Sequence, residues 1–158
     1  MGFTHLDESG EARMVDVSSK PDEIRVAIAS GLISLSKETM LMIEEKKIAK
    51  GNVLTTAKIA GIQAAKRTSE LIPLCHNIAL SHVGMDFEMG RDGITAVAEV
   101  KSIGKTGAEM EALTAVSAAL LTIYDMCKAV DKKMMLGEIR LVSKEKLDFT
   151  FPPFVREG

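Results

Sequence analysis

Tryptophan is absent from this 158-residue chain, tyrosine occurs once and phenylalanine five times. A core without large aromatic plates must be filled by Leu, Ile, Val, Ala and flexible Met, of which there are ten. Only two cysteines occur, Cys75 and Cys127; a chain of this length forms a core without staples, so reduced thiols are expected. The three histidines, His5, His76 and His82, are scattered and no Cys-x-x-Cys accompanies them, so no metal site is expected. Neither sign of charge predominates: 20 Lys and Arg against 22 Asp and Glu leave a net charge of -2, without the basic footprint of a nucleic-acid binder. No apolar run approaches the roughly 20 residues of a bilayer span, and residues 1–5 lack the apolar stretch of a signal peptide. No membrane partner and a cytoplasmic address are therefore expected. Repeats and low-complexity blocks are missing, and the length fits a single domain over residues 1–158.

What is present reads as strands mixed with helices. Residues 11–17 read as a short strand closed by a turn at 18–21, and Ile24, Val26 and Ile28 alternate as in a half-buried strand that resumes after Gly31. Ser36 is a good N-cap for a short helix through Met40 and Ile43. Asn52 caps a second helix over about 53–71, stopped by Pro73, whose Ala57, Ala60, Gly61, Ala64 and Ala65 form a slim side that another helix can approach closely. Val83, Met85, Phe87 and Met89 alternate with polar or small residues, and Gly90-Arg91-Asp92-Gly93 supplies hairpin chemistry before a strand over 94–103. The longest helix is expected over 109–132, with a closing strand over 138–142 and a tail from 143 to 158 that is charged and then rich in Phe and Pro, including Phe149, Phe151 and Phe154. These elements describe an α+β open sandwich, an antiparallel sheet with helices packed on one face. Slim helices and few aromatics also suit a chain that buries apolar surface between subunits.

Several residue groups carry candidate chemistry. Gly104-Lys105-Thr106-Gly107 is not a P-loop, because the first glycine of that motif falls on Glu99. Such a turn still aims backbone N–H groups and the positive end of a helix at any anion placed there, and an anion site and a plain helix entry both fit. Cys75 and His76 are adjacent and do not face the same way in an extended segment; from composition alone Cys75 reads as a buried small apolar residue. Lys66 and Arg67 read as a solvated helix face, with Arg67 at ion-pair spacing from Glu70. Glu109 and Glu111 lie two apart and cannot both serve one site unless the first helical turn is distorted; otherwise they favour the positive helix start. Asp125 and Lys128, three apart beside core rows, make either a structural ion pair or a tunable acid/base pair.

Residues 59–76, ending Lys66-Arg67-Thr68-Ser69-Glu70-Leu71-Ile72-Pro73-Leu74-Cys75-His76, closely resemble the signature of the cyclic pyranopterin monophosphate synthases, the MoaC family. Residues 104–115 and 121–130, with Tyr124-Asp125-Met126-Cys127-Lys128 at their centre, match the same family, as does Arg13-Met14-Val15-Asp16-Val17-Ser18. The resemblance covers about residues 4–142 and leaves a divergent tail, 143–158. It implies a ferredoxin-like subunit assembled as a homohexamer, a trimer of dimers with active sites at a subunit interface. It also implies a lyase, without cofactor or metal, that converts 3',8-cyclo-7,8-dihydro-GTP into cyclic pyranopterin monophosphate and releases pyrophosphate. Carried onto this chain, the catalytic set falls on Lys50, His76, Asp125 and Lys128. The substrate-binding set falls on Lys66, Arg67, Cys75, Glu109, Met110 and Glu111, with Lys66 and Arg67 as phosphate candidates. Asn52 stands where the family usually has Asp, Asn77 replaces a common Pro, and a glycine- and lysine-rich tail motif is missing. A binding module that kept the fold and lost turnover is the main rival reading; retention of every polar catalytic position favours an enzyme. A structural partner in a biosynthetic assembly is the third reading, and it would not require Lys128 or His76.

Overall fold

A computed structural model of the chain describes residues 9–148. Four strands, β1 (Glu23–Ser34), β2 (Leu80–Met89), β3 (Gly93–Gly104) and β4 (Met135–Asp148), form one antiparallel sheet in the order β2-β3-β1-β4. The helices are α1 (Lys37–Glu44), α2 (Val53–Lys66), the short α3 (Thr68–Leu71) and α4 (Glu109–Cys127). This order and connectivity are those of a ferredoxin-like α+β sandwich.

Side-chain alternation builds the core. Ala27, Ala29 and Ile33 on β1 stand opposite Val100, Ala98 and Ile94 on β3, and all six are buried under the helices. The alternate residues Ile24, Val26, Ile28 and Leu32 point to the other face and are only half-buried. Small residues let α2 and α4 come together: Ala57, Gly61 and Ala65 are buried, and a Cβ at Gly61 would meet the Ala115 carbonyl oxygen at 3.0 Å. The slim side of the second helix is thus where α4 packs. By length and composition α4 is apolar enough to cross a bilayer, yet here it is the core helix, with Val116, Leu120 and Ile123 wholly buried.

The hairpin β2–β3 and the Ser36 and Asn52 caps form as the sequence predicts; Ser36 accepts from Thr39 N and Asn52 from Thr55 N. Residues 12–17 differ, forming no strand beyond a single bridge at Ala12. Their backbone and polar groups find partners elsewhere: the Val15 carbonyl lies against His76, and the Asp16 carboxylate accepts the Ser18 N–H. The second helix breaks at Arg67, where the Thr68 hydroxyl bonds back to the Ala64 and Ala65 carbonyls and competes with the regular ladder. Among the described residues no Arg67–Glu70 ion pair forms, although the turn carries on with the Glu70 N–H on the Arg67 carbonyl. The fourth helix ends at Cys127 rather than 132, and the chain tightens there into a turn in which the Val130 and Asp131 N–H groups share the Cys127 carbonyl. β4 is longer than expected and takes in residues 143–148 of the tail; main-chain pairing with β1 tolerates charged side chains on a solvent-facing edge. His5, Phe149, Phe151 and Phe154 lie outside the described residues.

Candidate functional site

Two groups of polar side chains stand at opposite ends of α4. At its N-terminal end two cavities adjoin and share Lys20, Thr106, Gly107 and Glu109. The smaller, about 320 Å³, is lined by Cys75, His76, Glu109, Met110 and Glu111 among others. His76 Nε2 lies 2.6 Å from the Val15 carbonyl oxygen. A carbonyl only accepts, so a ring proton sits on Nε2, and in the neutral ring Nδ1 is the hydrogen-bond acceptor. Glu111 is buried, and its carboxyl is pushed up to about 6, chiefly by desolvation and in lesser part by the Glu109 carboxylate. A carboxyl at that value exchanges protons near neutral pH. Burial, with a smaller push from Glu111, raises the Cys75 thiol and keeps it protonated, and the residue is half-buried in the cavity wall rather than sunk in the core. Glu109 and Glu111 do converge on one cavity, although two residues apart: the cavity wraps around the first helical turn, and Lys144 Nζ holds Glu109 from the side at 3.1 Å.

The larger cavity, about 580 Å³, sets Lys20, Arg25, Lys105, Lys144 and Lys146 against Glu23, Glu109 and Glu145. Arg25 is buried and reaches Glu23 and the Lys105 carbonyl, while its Nε has no partner among the described residues. An orphaned, buried guanidinium donor beside the start of a 19-residue helix and the Gly104–Gly107 turn makes an anion-seeking wall. Sequence reading singled out Lys105 through that turn and missed Lys20, Arg25, Lys144 and Lys146. Asp16 also belongs to this neighbourhood; its carboxyl is held low by its bonds to Ser18 and, more weakly, by Lys105 and His76.

At the other end of α4, Lys50, Asp125 and Lys128 come together. Lys50 Nζ donates to Asp125 Oδ2 at 2.9 Å and to the Asp125 carbonyl at 2.8 Å, and Lys128 Nζ lies 2.6 Å from Asp125 Oδ1. Bonds from both ammonium groups, Lys128 first, hold the Asp125 carboxyl at about 2. Asp125 in turn raises Lys128, so proximity to the carboxylate outweighs desolvation and Lys128 keeps its proton. All three side chains are about half exposed, at 46%, 57% and 56%, and so open to a ligand. Cys127 nearby is wholly buried, with its thiol pushed up to about 11 by desolvation.

Lys66 and Arg67 join neither group. Lys66 borders a separate open depression beside Ile78, Leu80 and His82, and Arg67 closes α2 with its side chain exposed. Among the described residues no three His, Cys, Asp or Glu side chains gather in a way that could hold a metal.

Residues 14–146 match the MoaC family. Over 144 residues the chain is 56% identical to a protein of Clostridium acetobutylicum named cyclic pyranopterin monophosphate synthase, an overlap of 90% of this chain and 89% of that one. It is 54% identical over 144 residues to the Roseiflexus protein of the same name, covering 90% and 91%. A molybdenum cofactor biosynthesis bifunctional protein of Chlorobaculum tepidum is 58% identical over 144 residues, 91% of this chain and 46% of the longer protein.

Proposed function

This chain belongs to the MoaC family, and on that premise we propose that it is an enzyme of molybdenum cofactor biosynthesis that converts 3',8-cyclo-7,8-dihydro-GTP into cyclic pyranopterin monophosphate and releases pyrophosphate, a lyase reaction. The observation that carries the reading is the pair of half-sites on α4. One offers the Glu111 carboxyl, which exchanges protons near neutrality, and the His76 ring in the same cavity wall, beside a cation-rich cavity; the other offers the Lys50–Asp125–Lys128 cluster. Opening and reclosing rings needs proton donors and acceptors, and a triphosphate needs cations. In this reading Lys128 and Asp125 handle protons at the reacting rings, Lys50 and His76 deliver protons or steady leaving-group charge, and the wall of Lys20, Arg25, Lys105 and Lys144 holds phosphate. Lys66 and Arg67 could meet the same phosphates only across a subunit boundary, since they line neither cavity of their own chain.

The two half-sites also bear on assembly. At 1.5 Å per residue, Glu111 and Asp125 lie about 20 Å apart along the helix axis, whereas reacting groups must approach to about 3–3.5 Å. Within one chain the two clusters cannot act on the same ring, and a second copy presenting its Lys50–Asp125–Lys128 end to the His76 end resolves the mismatch. Ile24, Val26, Ile28 and Leu32 on the sheet face turned away from the helices, with exposed Leu121 and Ile59 on the helices, supply apolar surface for such contacts. The assembly proposed is a homohexamer, a trimer of dimers, in the cytoplasm. Incubating the purified protein with the cyclised nucleotide tests the activity: pyrophosphate and cyclic pyranopterin monophosphate should appear together. Binding without either product would leave a pterin-nucleotide binding module instead.

A further inference from the structure

We propose that Asp131 is a positioning residue, whose carboxylate pins the start of α1 to the turn after α4 and so sets Lys50 against Asp125 and Lys128. Asp131 is 6% exposed, and its Oδ2 accepts the Ser36 backbone N–H at 2.8 Å while Oδ1 accepts that of Lys133 at 3.1 Å. Its own N–H closes the end of α4 on the Cys127 carbonyl, three residues past Lys128 in the chain. Ser36 is the N-cap of α1, and its hydroxyl bonds Thr39, a wholly buried residue on the first turn of that helix. One carboxylate thus joins the turn that carries Lys128 to the helix that leads into Lys50. The connecting stretch is short and braced: Lys47 N–H reaches the Met42 carbonyl, Ile48 is buried, and Gly51 N–H closes on Ile48. Displacement of the first turn of α1 is therefore passed along to Lys50 rather than absorbed.

The inference rests on the proposed activity only where turnover is read, so the test has two arms on the full, assembled chain. Competitive acylation of lysines, quantified by mass spectrometry, reads the Lys50 ammonium directly. In Asp131→Ala, Lys50 should label at least several-fold faster than in wild type, while Lys58 on α2 keeps its rate. Ser36→Pro removes the same bond from the other side, together with the Ser36 cap on Thr39, at a φ of -65° that proline adopts readily, and should give at least the same Lys50 response. In the second arm kcat of Asp131→Ala should fall about 10- to 100-fold, the scale of an ångström's misplacement, with KM changed only a few-fold. Asp131→Asn, whose amide oxygen still accepts from Ser36, should recover most of that loss. Unchanged Lys50 labelling in a folded Asp131→Ala or Ser36→Pro protein, or an equal rise at every lysine, overturns the proposal, as does wild-type kcat in Asp131→Ala. Failure of wild type to turn over would sink the proposed activity and leave the labelling arm to judge Asp131.

Discussion

Replacing Glu111 by Gln is expected to strengthen the fold at neutral pH while stripping the smaller cavity of a proton-transfer group. The carboxyl sits at about 6 against an ordinary 4.5. Each pKa unit is worth about 1.36 kcal/mol, so ionising Glu111 in the folded protein costs up to about 2 kcal/mol more than in the unfolded chain, less whatever cavity water screens. The folded value lies above the unfolded one. The stability linked to Glu111 is therefore complete below about pH 4.5 and is lost as pH rises through about 6. Glutamine has the same shape and never ionises. Glu111→Gln should match wild type near pH 4.5 and exceed it by up to about 2 kcal/mol at pH 7.5, which is about 4–8 °C in Tm for a chain of this size. Urea unfolding at both pH values, at one fixed protein concentration so that any assembly contributes equally, measures the difference. A variant that is less stable than wild type at pH 7.5 would refute the reasoning, since it would mean that the buried carboxylate is ionised and well bonded. Turnover should move the opposite way and drop by about 100- to 10,000-fold, the usual worth of a positioned acid or base.

Lys128→Ala should lower single-turnover pyrophosphate release by about 100- to 10,000-fold while calorimetric binding of the cyclised nucleotide weakens far less, because the phosphate-facing cations remain; turnover within a few-fold of wild type would remove Lys128 from the chemistry. Light scattering should give the mass of six chains, and a stable, active monomer would contradict the shared site. Mixing inactive His76→Ala with inactive Lys128→Ala, altered at opposite ends of α4, should restore a fraction of turnover once subunits exchange; no recovery after confirmed exchange would place the whole site in one chain. Cys75→Ser should keep its turnover and contain no zinc, since the raised thiol supplies no thiolate at neutral pH; loss of turnover in a folded hexamer would make Cys75 a participant.

The elements legible in the sequence are those whose signal is local. The β2–β3 hairpin follows from alternation over 83–89 before a glycine-flanked turn, and the Asp125–Lys128 pair from a three-residue spacing on a helix. What stayed hidden depends on partners distant in the chain. Residues 143–148 look like a charged tail, yet the β1 ladder recruits them, and the register sets Lys146 opposite Arg25. Only that pairing brings Lys144 and Lys146 to the cavity that Lys20 and Lys105 reach from turns, so no window of sequence could have grouped these cations. Spacing misled at Glu109 and Glu111 because it assumes a site on one side of a helix, whereas a cavity at a helix end meets the whole first turn.

The site residues differ from the fold in a deeper way. Helical periodicity says which residues are neighbours on α4, and its length says how far apart the ends are. Neither says that two such distant ends belong to one reaction. Had Lys50 and Lys128 been structural, their pairing with Asp125 would leave no unmet demand; each is bonded, and the pair is complete in one chain. The demand arises only when His76 and Glu111 at the far end are assigned to the same ring chemistry, because a rigid 19-residue helix then forbids a one-chain site. On the proposed assignment the length of α4 ties mechanism to assembly: if residues at both ends are catalytic, the reaction requires a neighbour. A complementation experiment reads that requirement more directly than the oligomer mass does.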